Sequence, residues 1–224
     1  MNQKTIKNLL IILIATAVFV WISVLIYARM TKELFISKIV AYIQRMEGGL
    51  GRGTADNASS YPAPWSYKGL TGWHTNKGVT FRTFEANAKK LGYEVTPKNF
   101  FEMPDIIWWK IFQSAFLNQW NLDEIDHLPR IKAVIITWAW NSGNGGTERL
   151  LANFQREKMG VVDSNITKVE IIQNFKKKVT PANEIEWFDK LCARRKEDYS
   201  KMSDFGTYGR GWYNAVDKLI KEFR

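Results

Sequence analysis

The strongest constraint on this 224-residue chain is an apolar run without a charge from Leu9 to Ala28. As a helix rising ~1.5 Å per residue it covers about 30 Å, the thickness of a bilayer core. We therefore expect a transmembrane helix here. Lys4 and Lys7 precede the run and Arg29 follows it, so the flanking charges leave its orientation open. A secretory signal peptide is the alternative, but its apolar region is usually shorter, and no small-x-small cleavage site follows this run.

The chain beyond about Thr31 is long enough for a compact core and is strongly basic. The sequence contains 32 Lys and Arg against 22 Asp and Glu. Beside a membrane segment, this excess favours an anionic polymer or acidic lipid over nucleic acid as the partner. Cys192 is the only cysteine, which excludes an internal disulfide. The two histidines, His74 and His127, are expected in surface or loop positions, and no metal or cofactor is predicted.

Hydrophobic spacing predicts a mainly α-helical fold, with no sustained strand pattern except a short hairpin in the loop of residues 48–76. Arg130–Trp140 is apolar almost all round, which is typical of a central buried helix. Asn141–Gly146 is expected to end that helix, with Thr147 capping the next one. The predicted helices after the membrane segment are Thr31–Met46, Thr80–Leu91, Asp105–Trp120, Arg130–Trp140, Lys168–Phe175, Glu184–Lys201 and Gly211–Phe223.

Glu47 is the most informative single residue, because it ends an amphipathic helix directly before Gly48 and Gly49. The glycine pair is expected to stop the helix in a left-handed conformation. The negative end of the helix dipole and nearby apolar surface would both raise the pKa of Glu47. A carboxylic acid protonated near neutral pH is the proton donor that cleavage of a glycosidic bond requires. A glutamate in a helix-to-loop turn with no catalytic role is the alternative.

Motifs along the chain occur in an order that is more specific than any one of them. They are Glu47-Gly48-Gly49, Thr75-Asn76-Lys77-Gly78-Val79-Thr80, Asn118-Gln119-Trp120-Asn121, Leu128-Pro129, Trp138-Ala139-Trp140-Asn141-Ser142-Gly143 and Gly211-Trp212-Tyr213-Asn214. This order resembles the glycoside hydrolase 108 muramidases, lysozyme-like enzymes of bacteria and their phages. The resemblance covers roughly residues 35–218 and implies a lysozyme-like helical domain after the transmembrane helix.

The resemblance implies an enzyme, a glycoside hydrolase (lysozyme or N-acetylmuramidase) that cleaves the β-1,4 bond between N-acetylmuramic acid and N-acetylglucosamine in peptidoglycan. Glu47 corresponds to the general acid. Asp56 matches a family loop aspartate that would position water or stabilise the cationic sugar, although a turn-capping role is equally compatible with its position. Thr75 and Thr80 match two loop threonines whose hydroxyls would orient water. Thr80 is also placed to cap the helix that begins there.

Further residues are expected to bind substrate. The candidates are Trp73, Thr75, Asn76, Lys77, Trp140 and Asn141. The chain also departs from the family pattern. An insertion at about residues 57–70 separates Asp56 from the threonine loop, Trp73 replaces a loop glycine, and Thr137 stands where an aspartate is common. The aromatic residues of this region, Tyr61, Trp65 and Tyr67, either face sugar rings or cover the core.

The predicted organisation is an anchor (residues 1–30), a lysozyme-like catalytic region (31–140) and a C-terminal helical region (141–224) resembling the family's peptidoglycan-binding lobe. We expect a single-pass protein of the bacterial inner membrane with its catalytic domain in the periplasm. Its expected partners are peptidoglycan, the membrane through residues 9–28, and an envelope-spanning complex. The alternatives are a catalytically weak peptidoglycan-binding subunit of such a complex and a phage endolysin with a signal anchor.

Overall fold

The mainly α-helical class is confirmed in the computed structural model, which describes residues 3–54, 57–163 and 165–224. The chain divides into two compact units, one ending at Ala41 and the other spanning Tyr42–Arg224. The helices are α1 (Gln3–Met46), α2 (Phe81–Lys90), α3 (Pro97–Phe101), α4 (Asp105–Ala115), α5 (Pro129–Met159), α6 (Lys168–Lys178), α7 (Glu184–Ser200) and α8 (Phe205–Phe223). Short 3-10 helices cover Asn57–Ser60, Leu117–Gln119 and Leu122–Ile125.

The first unit is helical throughout its described residues, and its apolar side chains from Ile12 to Tyr27 are exposed. The hydroxyls of Thr16 and Ser23 each donate to the carbonyl four residues earlier, at 2.9 Å. These bonds satisfy the polar groups of the apolar stretch within the helix itself, as a lipid environment requires. Within the described part of the chain, α1 alone is long and apolar enough to cross a membrane. A signal sequence has the same properties.

A small antiparallel sheet follows α1 closely. Its strands are β1 (Leu50–Gly51), β2 (Thr75–Asn76) and β3 (Val79–Thr80), in the order β1-β2-β3. Lys77 and Gly78 connect β2 to β3, and both have positive φ, 47° and 75° respectively. Two positive φ angles define the type I′ turn, whose twist matches that of the flanking strands. The predicted hairpin therefore exists, although its second strand lies beyond residue 76.

Helix α5 is the centre of the second unit, and its residues from Ile131 to Trp140 are all buried. Its first turn is held by Glu184 of α7, whose carboxylate accepts from the backbone N–H of Arg130 at 2.6 Å. A carboxylate at this position satisfies a free amide and complements the helix dipole. The arrangement fixes the start of the helix that carries Trp140 near its middle.

The predicted end of the central helix at residues 141–146 falls where the helix is interrupted, because α5 kinks at Gly143, and helical residues continue on both sides of the kink. Gly143 has φ 69° and ψ 161°, which turns the axis without a separate connecting loop. Thr147 is fully buried within the helix, so it is not the predicted cap. The start of α8 at Phe205, six residues before Gly211, is a second difference from the predicted boundaries.

Candidate active site

Glu47 follows the last residue of α1, and its backbone N–H still donates to the carbonyl of Ile43 at 3.0 Å. Its side chain is half-buried. Trp140, from the middle of α5, donates its indole N–H to Oε1 of Glu47 at 2.6 Å. Gly48 and Gly49 do not have the left-handed conformation predicted for them, and a Cβ on either would meet no atom within 4 Å. These two glycines leave space beside the acid.

The position of the acidic proton follows from the contact with Trp140. An indole N–H only donates, so Oε1 of Glu47 must accept. The carbonyl oxygen of a carboxylic acid is its better acceptor, so a protonated Glu47 carries its proton preferentially on Oε2. That oxygen lies against Gly78, where a Cβ would come within 2.5 Å of it. The lack of a side chain at Gly78 is what makes room for this oxygen.

The electrostatic environment favours the protonated form of Glu47. Burial raises the pKa of this carboxyl above its ordinary value, and the hydrogen bond from Trp140 lowers it by a smaller amount. The ring of Trp140 contributes to the burial, packing at 4.9 Å from Phe116 and 5.4 Å from Trp108 between ring centroids. A raised pKa is what a general acid working near neutral pH requires.

Two threonines of the small sheet, Thr75 and Thr80, lie opposite each other in a row across the strands. Thr75 pairs with Gly51 on one side and with Thr80 on the other. Paired residues of an antiparallel sheet direct their side chains to the same face. The neighbouring row contains Asn76 and Val79, and both are buried. The half-buried Thr75 and Thr80 therefore lie on the more open face of a hairpin whose turn contacts Glu47.

Residues 40–143 match the family model described as glycosyl hydrolase 108. The segment is therefore similar to glycosyl hydrolase family 108. The family resemblance and the enzyme class expected from the motifs are thereby confirmed, and the segment is a lysozyme-like glycoside hydrolase of the peptidoglycan hydrolase type. The C-terminal lobe lies beyond the matched residues, and its peptidoglycan-binding role stays a prediction.

The solved structure of Brucella abortus SagA resembles the fold, with a TM-score of 0.57 and 19% sequence identity. The similarity covers 85% of this chain and 93% of the SagA chain. No curated protein matches this sequence. At this identity, the likeness to SagA supports the fold.

Within the family 108 segment, three predicted site residues have structural roles. Thr80 caps α2, since its hydroxyl accepts from the N–H of Thr83 at 3.1 Å and donates to the Thr83 hydroxyl at 2.9 Å. Asn76 is buried, and its amide donates to the carbonyls of two α3 residues, which anchors the hairpin instead of facing substrate. Trp140 is also buried, and its indole contacts the acid rather than an open surface.

The other predicted substrate contacts are more accessible. Lys77 donates from its ammonium group to the Met103 carbonyl and to Asp105, both at 2.9 Å. Trp73 is half-buried, and the guanidinium of Arg52 lies 5.2 Å from its ring centroid. Asn141 is exposed near the kink of α5. Substrate binding by these residues stays a prediction.

The aromatic residues in the loop between β1 and β2 were expected either to face sugar rings or to cover the core. Tyr61 stacks on Phe81 at 5.9 Å, and Tyr67 stacks on Phe101 at 4.7 Å between ring centroids. Trp65 packs edge-on against Phe81. These aromatic residues therefore cover the core around α2 and α3. Asp56, the candidate second carboxylate in this loop, lies outside the described residues.

His74 was not among the predicted site residues. It lies in the loop before β2, one of the two positions expected for it, but it is buried, with only 2% exposed. One ring nitrogen contacts the Gly53 carbonyl at 3.1 Å, and the other contacts the Thr75 hydroxyl at 3.0 Å. The only sequence signal was its position next to a candidate threonine. Among the described residues, no group of three or more His, Cys, Asp or Glu side chains is arranged to hold a metal ion.

Proposed function

We propose that this protein is a membrane-anchored muramidase that hydrolyses the β-1,4 bond between N-acetylmuramic acid and N-acetylglucosamine, with Glu47 as general acid. The observation that carries this proposal is the state of Glu47. Its pKa is raised by burial, and the contact from Trp140 favours the proton on Oε2. That acid lies within the segment that matches glycosyl hydrolase 108.

The proposed reaction begins when Glu47 transfers its Oε2 proton to the glycosidic oxygen as the bond to the sugar carbon breaks. Positive charge then develops on the ring carbon and ring oxygen. A water molecule adds its oxygen to that carbon and gives up a proton. We assign the orientation of this water to the Thr75 hydroxyl. Asp56 is assigned the stabilisation of the cation or the uptake of the water's proton.

The location of the enzyme follows from the apolar N-terminal helix. We propose that residues 9–28 cross the bacterial inner membrane once and leave the catalytic unit in the periplasm. Few residues separate Ala28 from Glu47 in the sequence. The reach of the acid from the membrane is therefore short, which suits local opening of the wall for an envelope-spanning complex. The basic composition would assist by attracting wall carboxylates or acidic lipid headgroups.

Replacement of the acid tests the catalytic proposal. Glu47→Gln keeps the shape and the acceptor for Trp140 but cannot donate the proton, so hydrolysis should fall on the order of 100-fold or more. Purified peptidoglycan is digested, reduced with borohydride and analysed by mass spectrometry. Products with a reduced muramic acid end are expected from the wild type. The exposed Glu102→Gln is the matched control and should digest normally.

Equal digestion by wild type and Glu47→Gln would refute the role of Glu47. Products with a reduced glucosamine end would instead show that the other bond of the glycan chain is cut. Binding of each variant to insoluble wall is measured in parallel. The Glu47→Gln protein should bind as the wild type does, which separates lost chemistry from lost recognition.

A second experiment tests the anchor. The full-length protein is expressed beside a version that lacks Met1–Met30 and is exported by a cleavable signal. The anchored form should fractionate with the inner membrane and lyse cells more slowly than the freed form. Equal lysis rates would contradict the proposed restriction by the tether. Recovery of a shortened, soluble mature protein from the full-length gene would show that the segment is a cleaved signal.

A further inference from the structure

His74 links two segments of the site loop. Its backbone N–H donates to the Gly51 carbonyl at 3.0 Å, which continues the pairing of β1 with the chain before β2. Its ring lies between the Gly53 carbonyl and the Thr75 hydroxyl, and is almost completely buried. The ring is therefore held at both nitrogens by protein groups.

The two contacts determine the tautomer of the neutral ring. A backbone carbonyl only accepts, so Nε2 must carry the hydrogen that is donated to Gly53. The neutral imidazole then has a lone pair at Nδ1. The Thr75 hydroxyl, 3.0 Å away, must donate its single hydrogen to that nitrogen. The direction of the His74–Thr75 hydrogen bond thus follows from the Gly53 contact.

We propose that His74 is a positioning residue that commits the Thr75 hydroxyl hydrogen and so makes Thr75 an acceptor for the attacking water. This inference rests on the role assigned to Thr75 in the proposed function. A threonine hydroxyl normally rotates, and it either donates to a water molecule or accepts from one. With its hydrogen committed to His74, it can only accept. The water then gives one hydrogen to Thr75 and keeps its lone pairs for the sugar carbon.

The surroundings of the two threonines favour Thr75 over Thr80 as the acceptor for the attacking water. The Thr80 hydroxyl both donates and accepts within the α2 cap. Thr75 is flanked on its other side by Gly51, which has no side chain to cover it. His74 therefore acts on Thr75, the threonine whose hydroxyl oxygen does not accept in the α2 cap.

Because His74 also holds Gly53, its structural and positioning roles must be separated, and two substitutions do this. In His74→Asn, the side-chain oxygen lies near the place of Nδ1 and can accept from Thr75, while the donor to Gly53 is lost. In His74→Gln, the amide nitrogen lies near the place of Nε2 and can donate to Gly53, while the acceptor for Thr75 is lost. The two variants thus remove one contact each.

We expect His74→Gln to lower kcat on peptidoglycan about tenfold or more, with KM and Tm close to wild type. His74→Asn should lower Tm more and kcat less. In a Thr75→Val background, which removes the hydroxyl, His74→Gln should have no further effect on kcat. A His74→Gln enzyme with wild-type kcat would overturn the proposal, as would equal losses of kcat in both variants.

Nitrogen-15 NMR of histidine-labelled protein tests the hydrogen bond independently of activity. The chain has two histidines, so the exposed His127→Gln variant assigns the signals. The Nε2–H tautomer is expected for His74, with an Nδ1 shift that changes in Thr75→Val. The Nδ1–H tautomer would overturn the proposal even in an active enzyme. A wild type that cleaves no peptidoglycan would refute the proposed function, and with it the role of His74 in catalysis, whatever the tautomer.

Discussion

Glu47 and Arg195 are both ionisable groups placed in apolar surroundings, but they are surrounded differently. Glu47 is half-buried, and one of its oxygens accepts from Trp140 while the other faces a glycine. Arg195 of α7 is almost completely buried, and its guanidinium donates to the Tyr199 hydroxyl and to the hydroxyl and carbonyl of Thr137, at 2.8–3.0 Å. Among the described residues, no group donates to Oε2 of Glu47. Arg195, in contrast, uses its donors on neutral oxygen atoms.

The difference shows what separates a reactive group from a structural one. Arg195 stabilises the contact between α5 and α7 because its partners are provided by the protein, and it has no exposed face to offer a ligand. Glu47 has a raised pKa because burial disfavours its charged form more than the hydrogen bond from Trp140 favours it. Thr137 also illustrates the departure from the family pattern, since its hydroxyl stands where a carboxylate is common and accepts from Arg195.

Among variants that keep Glu47, the largest fall in rate is expected at the glycine beside it. Gly78→Ala would place a methyl group on the Glu47 carboxyl, and the acid must move. Displacement of a catalytic group by about 1 Å costs on the order of 100-fold in rate, so kcat on peptidoglycan should fall by that factor. The positive φ of Gly78 adds about 1 kcal/mol of strain.

Gly92→Ala is the matched control for this change. Gly92 has φ 74°, against 75° for Gly78, but a Cβ there meets no atom within 4 Å. It should lose the same stability as Gly78→Ala in thermal unfolding and keep wild-type kcat. Equal loss of activity in both variants would show that backbone strain, rather than contact with the acid, is responsible.

Arg195→Lys should give the opposite pattern, with stability lost and activity per folded molecule kept. A lysine ammonium cannot reproduce the planar set of donors that reaches Thr137 and Tyr199 together. At least one buried acceptor is left unsatisfied, at a cost of about 1–3 kcal/mol. Chemical unfolding measures this loss, and kcat is measured well below the transition. A drop in kcat larger than the unfolded fraction would contradict the purely structural role of Arg195.

A smaller effect on rate than that of Gly78→Ala is expected for Trp140→Phe, and it should appear mainly as a shift of the pH–rate profile. The substitution keeps a ring against Phe116 but removes the donor to Glu47, so the pKa of Glu47 should rise further. Activity that depends on protonated Glu47 is lost as pH rises through that pKa. The alkaline limb of the pH–rate profile should therefore move to higher pH, with the plateau reduced less than about tenfold. If the alkaline limb does not move, a group other than Glu47 produces it.

The raised pKa of Glu47 also predicts how the stability of the protein changes with pH. Since burial raises the pKa of Glu47 in the folded state, the folded protein holds this proton to higher pH than the unfolded chain does. The folded state therefore loses stability as pH rises from the ordinary glutamate pKa through the raised one. Glu47→Gln should match the wild type at low pH and exceed its stability at neutral pH. If the wild type and Glu47→Gln are equally stable at every pH, the pKa of Glu47 is not raised.

Predictions from local sequence patterns agree with the structure to different degrees. The helix ending at Met46 and the helix stop near Gly92 follow from spacing and composition close to them, and both exist. The predicted left-handed conformation at Gly48 and Gly49, and the cap at Thr147, are wrong. A glycine or threonine permits such a conformation, but packing of distant segments decides whether it is adopted. Here the packing buries Thr147 inside α5, beyond the kink at Gly143.

The sequence by itself determined the apolar N-terminal helix, the helical class of the chain and the choice of Glu47 as the candidate acid. Each depends on residue types within a few positions of one another. Only the tertiary structure decided which groups act on that acid. Trp140, 93 residues away, donates to it, and the hairpin turn brings Gly78 against it. Burial and hydrogen-bond direction depend on these long-range contacts, because a carboxyl group's pKa is set by whatever atoms replace the water around it.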